Sequence, residues 1–223
     1  MKGRSFSCAV TGLLYDSLVN DVTAFVLAGG RSSRMGSDKA LLALGGETLL
    51  QRAITTASAA CREVYICGAR SLYGALGEVI EDAEPGRGPL SGIQAALHAT
   101  QTDLNLILSV DLPLMTAEFL EWLLQQARSG GQSITAPEAQ GQLQPLCAVY
   151  HRGVAGIVDE ALRNRDFKVT RLFQRTPTRI IGEREICAAG FEPSVFTNVN
   201  TPGEYESLRQ AISAHGMIGP RHG

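Results

Sequence analysis

The stretch "LAGGRSSRMGSDK", Leu27 to Lys39, follows the apolar run "TAFVL" and turns abruptly from small residues to cations. Ala28, Gly29 and Gly30 bare the backbone, and Arg31, Arg34 and Lys39 bring positive charge close behind them. Small residues let phosphate oxygens or a base approach main-chain N–H groups. Arginine adds forked donors to phosphate, and lysine a point charge. The chemistry on offer is capture of an anion against bare backbone. Two familiar phosphate loops do not fit. Gly30 and Gly36 are separated by five residues where the P-loop has four, and "GGRSSRMG" lacks the G-x-G-x-x-G of dinucleotide folds. The competing reading of the same residues is a strand-to-helix connection whose cations, an exposed Lys39 among them, face water.

Further candidates lie downstream. Asp111 follows the apolar run "LNLILSV" and precedes Pro113, so its carboxylate is expected at the end of a buried strand. A carboxylate so placed suits Mg²⁺, which takes one or two protein oxygens and completes its shell with phosphates and water. It equally suits a helix cap. Asp82, after "EVI", either lines the same crevice or belongs to a solvated acidic turn. Asn198 and Asn200 flank Val199, which puts both amides on one side of an extended segment. They order a metal, a phosphate or a substrate, or they serve the turn before Thr201. Gly88 and Gly92 permit either close packing or substrate approach. No Ser/His/Asp or Cys/His constellation supplies a covalent nucleophile. The five cysteines include no C-x-x-C pair and the four histidines no ligand spacing, which argues against a disulfide framework or a zinc site.

These side chains need a scaffold. The pattern alternates short apolar runs, "TAFVL" (23–27), "EVYIC" (63–67), "EVIED" (78–82) and "LNLILSV" (104–110), with helical periodicities over 48–60 and 90–99. Thr116 caps a helix reaching about Arg128, with Glu118 in its first turn. "QSITA" and "LCAVY" read as later strands and "VAGIVDEAL" as a helix. Thr201, Pro202 and Glu204 form a capping box for a last helix. Strand–helix alternation predicts an α/β fold: a Rossmann-like three-layer sandwich with a mostly parallel central sheet. Such sheets bind ligands beyond the carboxyl ends of their strands, so the loops after residues 27, 82 and 110 should share one crevice.

The 223 residues suit one domain, expected over 22–214 between an N-terminal extension (1–21) and a C-terminal tail (215–223). Lys2 and Arg4 imitate a signal peptide, but Asp16 interrupts the apolar stretch, and the extension is not read as an address. A net charge of −2 gives no basic balance for non-specific nucleic-acid binding. No run reaches membrane-span length, and the cysteines suit reduced thiols of a cytoplasmic protein.

"LAGGRSSRMGSDK" resembles the signature loop of the MobA family, the molybdenum cofactor guanylyltransferases, within the glycosyltransferase-A-like nucleotidyltransferases. "GPLSGIQAAL" (88–97), "VDLPLM" (110–115) and "FTNVNTPGEYE" (196–206) resemble its further motifs, in order, across residues 22–210. The loop between Met35 and Lys39 is a residue shorter than in some relatives. The resemblance implies Mg²⁺-dependent transfer of GMP from GTP to molybdopterin-bound molybdenum cofactor, with release of pyrophosphate. It implies catalytic Arg34, Lys39 and Asp111, with Asp111 on the metal. Leu27, Ala28, Gly29, Gly30, Lys39, Asp82 and Asp111 would hold the nucleotide, and Gly92, Asn198 and Asn200 the second substrate. A monomer in transient contact with cofactor-synthesis or molybdoenzyme-maturation proteins is expected. Relatives that use CTP usually read L-A-A-G at the first motif, so Gly29 is expected to make room for a purine. A cytidylyltransferase, a nucleotidyltransferase acting on another small phosphate, and a nucleotide-binding regulatory domain are the alternatives. Both Lys39 and Asp111 are retained, which weighs against a domain that only binds.

Overall fold

The computed structural model describes residues 22–29, 38–82 and 86–214. Gly30, Arg31 and Arg34, the N-terminal extension and the C-terminal tail lie outside them. The apolar runs become strands of an eight-stranded sheet. An interior strand is β1 (Val22–Leu27), buried along its whole length. β4 (Glu63–Cys67) pairs with it in parallel on one side and β6 (Leu104–Ser109) on the other. The short β5 (Val79–Ile80) extends the sheet beyond β4. Two-sided burial of β1 follows from its alternation. Ala24 and Val26 enter one core with α1 (Leu49–Ala60) and α4 (Ala117–Gly130). Phe25 enters the other, with α3 (Pro89–Ala99) and α5 (Ala155–Arg163). The result is three layers with a mostly parallel sheet between helices, as the alternation predicts.

One strand runs against the rest of the main path. β9 (Cys147–His151) is antiparallel to both β6 and β7 (Ile134–Ala139). β7 folds back onto β8 (Gln142–Leu143) through Gln140 and Gly141, whose φ values of 54° and 68° suit the tight left-handed turn of a hairpin. The chain therefore enters β9 from the carboxyl end of β6, with Cys147 opposite Leu108. β10 (Thr178–Ile181) pairs in parallel with β7 at the far edge. The expected strand over 78–82 shrinks to two residues because α2 (Arg70–Tyr73) covers that edge. The Arg70 guanidinium donates to Val79 O (2.5 Å), and its backbone N–H to Glu81 Oε1 (3.0 Å).

Helix starts follow local chemistry. Thr48 and Gln51 exchange the two bonds of a capping box at α1, and Thr116 Oγ1 accepts from Phe119 N at α4. Two short helices, α6 (Leu172–Arg175) and α7 (Glu183–Ala188), precede the last, α8 (Pro202–Ala214). At α8, Glu204 Oε2 accepts from Thr201 N (2.9 Å) and Thr201 Oγ1 from Glu204 N (3.2 Å). A two-stranded hairpin, β2 (Ala43–Leu44) and β3 (Glu47–Thr48), precedes α1.

Phe119 anchors the carboxyl-terminal part. It is fully buried and meets Phe191 and Phe196 edge-on, with centroids 5.2 and 5.1 Å away. Edge-to-face pairs add to area burial. Phe119→Ala should lower the unfolding free energy by about 3–5 kcal/mol. Urea denaturation would check this, and a loss below about 1 kcal/mol would show that the cluster collapses onto the cavity.

Candidate active site

Strand register sets the site. Leu27 lies opposite both Cys67 and Ser109, and Cys67 lies opposite Ile80. Four adjacent parallel strands therefore end at one level. Val110 N donates to Leu27 O (3.3 Å) and Gly68 N to Ile80 O (3.1 Å), carrying the pairing one step further. The segments leaving this edge carry Ala28, Gly29, Asp82 and Asp111.

Lys39 and Asp111 meet there. Lys39 heads a 3-10 turn, Lys39–Leu41, whose cap is Asp38. Its Nζ lies 3.4 Å from Asp111 Oδ2 and donates to Asn200 Oδ1 at 3.0 Å. The side chains of Lys39 and Asp111 are only 14% and 21% exposed, which corrects the reading of Lys39 as a solvated loop cation. Burial penalises an isolated ammonium, and the carboxylate and amide oxygens offset that penalty. Asn200 is held in turn: its backbone N–H donates to Glu204 Oε2 (2.6 Å). The bond from Asn200 N holds the Glu204 carboxyl below its usual pKa; desolvation opposes it, and the bonds from Thr201 and the charge of Lys39 add to the lowering. The two readings of this segment thus coexist, since Asn200 serves the α8 cap through its backbone and the site through its side chain. Val199, fully buried, donates its N–H to Asp111 O (3.0 Å) and docks the segment against the end of β6. Asn198 is half-buried beside it.

At the start of the glycine loop, two backbone amides have partners within the protein. Ala28 N and Gly29 N both donate to Cys67 O, at 3.0 and 3.2 Å. These two amides continue the pairing of β1 with β4 one step past its end. Gly29 remains exposed. A Cβ built on it would meet only Cys67 O and Gly68 Cα, each at 3.8 Å, an ordinary contact.

Gly92 is buried in the first turns of α3, where an added Cβ would lie 3.1 Å from Leu27 Cδ2 and 3.7 Å from Asp82 Oδ1. Its missing side chain makes room for the protein's own Leu27 and Asp82. Asp82 is half-buried, and its Oδ2 lies 3.0 Å from Ser91 Oγ. Burial raises its pKa, and the Ser91 hydroxyl partly opposes the rise. Leu27, Ala28, Gly29, Lys39, Asp82, Gly92, Asp111 and Asn200 are thus gathered at one end of the sheet.

One participant, Tyr73, escapes the motif reading. Tyr73 Oη lies 2.8 Å from Asp38 Oδ2 and 3.3 Å from Ala28 O, and Asp38 Oδ1 accepts from Ala40 N (3.0 Å). A lone tyrosine in "RSLY" carries no spacing signal. The sequence clue is a hydroxyl on an aromatic that helical packing alone would fill with phenylalanine.

The donor set suits a hard cation bound jointly with phosphates. Asp111 contributes a carboxylate and Asn200 an amide oxygen, and Mg²⁺ needs few protein ligands when a triphosphate supplies others. Among the described residues there is no group of three or more His, Cys, Asp or Glu that would enclose a metal by itself. Nor is any helix among them long and apolar enough to cross a membrane.

A family model described as a MobA-like NTP transferase domain matches residues 24–179. A probable molybdenum cofactor guanylyltransferase of Pelotomaculum thermopropionicum is 35% identical over 189 residues, spanning 84% of this chain and 91% of that protein. One from Carboxydothermus hydrogenoformans is 30% identical over 196 residues, spanning 87% and 98%. In fold, the chain is similar to molybdopterin-guanine dinucleotide biosynthesis protein A from Archaeoglobus fulgidus, with a TM-score of 0.76 at 23% identity over 86% of this chain and 99% of that one. It is also similar to a 4-diphosphocytidyl-2C-methyl-D-erythritol synthase from Anaerococcus prevotii, with a TM-score of 0.68 at 11% identity over 88% and 99%. The family match includes Lys39, Asp82 and Asp111, and the chain belongs to the MobA-like NTP transferase domain family.

Proposed function

We propose that the protein transfers GMP from GTP to the terminal phosphate of molybdopterin-bound molybdenum cofactor. The observation that carries this reading is the Lys39–Asp111–Asn200 constellation at the carboxyl edge of the sheet, in a chain 35% identical to a probable molybdenum cofactor guanylyltransferase. A phosphate oxygen of the acceptor bonds to the α-phosphorus of GTP. The α–β bridging P–O bond breaks, and pyrophosphate leaves with the bridging oxygen. Catalysis of this kind is positioning and charge neutralisation.

Lys39 is the cation held in place for the phosphates, pre-aimed by Asn200 and Asp111. Asp111 would hold Mg²⁺, with Asn200 Oδ1 beside it. When bound, that ion neutralises charge growing on the leaving pyrophosphate. Asp82, seated behind Leu27 and Gly92, supplies acceptor oxygens to the nucleoside, and Gly29 offers it an open contact. Arg34 keeps the catalytic role that the resemblance implies. Incubating purified protein with each NTP, Mg²⁺ and molybdenum cofactor, and weighing the product by mass spectrometry, tests the reading. A cytidine product, or none, would overturn it.

Lys39→Met keeps an apolar stem and removes the charge, and should reduce turnover about 10²–10³-fold, the scale of losing one aligned transition-state donor. It also strands the Asp111 carboxylate, so a modest loss of stability accompanies it. The double variant Lys39→Met/Asp111→Asn should regain that stability and stay inactive. Calorimetry and steady-state kinetics separate the two effects, and recovery of turnover in the double variant would assign the pair a purely structural role. Asp111→Asn alone should raise the Mg²⁺ concentration needed for half-maximal rate. An unchanged Mg²⁺ titration would remove Asp111 from the metal.

Gly29→Ala probes base choice with little strain, because the protein leaves space for the methyl group. If guanine packs there, GTP should be weakened relative to CTP by about 1–3 kcal/mol, roughly tenfold or more. Competition binding would show it. Equal weakening of both nucleotides would place Gly29 at the ribose or phosphates.

A further inference from the structure

Residues 28–29 and 38–41 flank the part of the glycine loop that lies outside the described residues, and Tyr73 touches both flanks. The side chain comes from α2, beyond the end of β4, and is 3% exposed. Its ring lies against Gly68, where an added Cβ would fall 2.6 Å from Tyr73 Cε2 and 2.9 Å from Cδ2. Gly68 is therefore the floor on which the ring rests, and Gly68 N is fixed to Ile80 O at 3.1 Å. From this seat the hydroxyl reaches Asp38 Oδ2 at 2.8 Å, with Ala28 O at 3.3 Å. A phenol has one proton, and the shorter, charged acceptor is the stronger partner. The other oxygen of Asp38 accepts from Ala40 N and so caps the 3-10 turn that starts at Lys39.

We propose that Tyr73 is a positioning residue for Lys39: from a ring seated on Gly68, just past the end of β4, its hydroxyl locks the Asp38 carboxylate that caps the Lys39 turn. The proposal rests on the catalytic reading of Lys39 above. Its physical content is a chain of fixed groups, Gly68 to Tyr73 to Asp38 to the Lys39 turn, ending on an ammonium whose aim decides the rate. Burial first, and then the bond to Asp38, hold the Tyr73 pKa above its ordinary value, so the hydroxyl stays a donor throughout the neutral range. Without that donor the Asp38 side chain is free to rotate away from Ala40 N. A displacement of about 1 Å at a reacting centre is enough for a rate loss of roughly 10²-fold.

Tyr73→Phe keeps the ring on Gly68 and removes the link. The expected result is a fall in kcat of about 10- to 100-fold, with the dissociation constant for GTP changed less than about threefold and the melting temperature nearly unchanged. A role confined to packing would leave kcat intact. The second arm is a double-variant cycle with Asp38→Ala. Because both residues act through one link, adding Tyr73→Phe to Asp38→Ala should cost nothing further, and multiplicative losses would overturn the proposal. Gly68→Ala, which displaces the ring, should reproduce the kcat defect by a second route. Hydrogen exchange at the Ala40 amide provides a readout independent of turnover and should speed up at least tenfold in Tyr73→Phe. If the wild type transfers no nucleotide, the functional reading fails, while exchange at Ala40 still decides whether Tyr73 holds the turn. Unchanged exchange there would overturn the proposal whatever the activity.

Discussion

The pairing of Leu27 with Cys67 on one side and Ser109 on the other is the constraint from which the site follows. Parallel strands must each be re-entered from the opposite end, so every chain exit on this part of the sheet lies on the same edge. Because four strands also stop in register, Ala28, Gly68, Glu81 and Val110 leave within a band about 14 Å wide, three strand spacings. A one-residue slip of β1 would reverse its alternation, turning Phe25 and Leu27 into the core that now takes Ala24 and Val26. The same slip would carry the Cys67 carbonyl out of reach of the Ala28 and Gly29 amides. Packing of small residues against one layer and large residues against the other therefore protects the alignment of the functional edge.

Electrostatics at that edge is local. The chain as a whole carries a formal charge of −2, so long-range attraction for a triphosphate is not a property of its net charge. Attraction has to come from cations presented at the strand ends, and a cation held there is costly when partly buried without a partner. The Lys39–Asp111 contact resolves this conflict. It also gives Asp111 two demands, the ammonium and the proposed metal, which an incoming polyanion can reconcile by contacting both. Asn200 supplies a neutral oxygen to the same ammonium, so Lys39 keeps a fixed direction when the carboxylate is shared.

Much of this was legible from residue types. β1, β4 and β6, the caps at Thr116 and Thr201, and the grouping of Lys39, Asp82 and Asp111 follow from periodicity, local capping chemistry and motif resemblance. The direction of β9 was hidden because a strand buried on both faces carries no mark of its orientation, and the informative Gln140–Gly141 turn fixes β8 first. The occupied amides of Ala28 and Gly29 escaped because their acceptor, Cys67 O, is a backbone group supplied by another strand. Lys39 read as exposed because its oxygen partners are 72 and 161 residues away in the chain. Tyr73 was invisible for the same reason, since its partners Ala28 and Asp38 lie 45 and 35 positions distant. Contacts of this range become readable only after the register has been set.

The carboxyl-terminal segment closes the argument, because the site is unfinished without it. Asn200 must travel back to an edge built by strands that ended long before it, and closing so large a loop has an entropic cost. Polar contacts at a half-exposed site are weak compensation for that cost, since each is worth little net of its lost hydration. The decisive contribution comes from apolar anchors on both sides of the amide. Phe196 packs edge-on against Phe119 just before it, and Val199 is wholly buried and bonded to the Asp111 carbonyl. After it, Tyr205 donates its hydroxyl to Ala43 O, tying α8 to the β2–β3 hairpin next to the Lys39 turn. The amide that steers Lys39 is therefore held by hydrophobic packing on the α4 side and by a hydrogen bond on the α1 side. Its geometry is inherited from the core, so the chemistry of the edge depends on packing residues that no substrate touches.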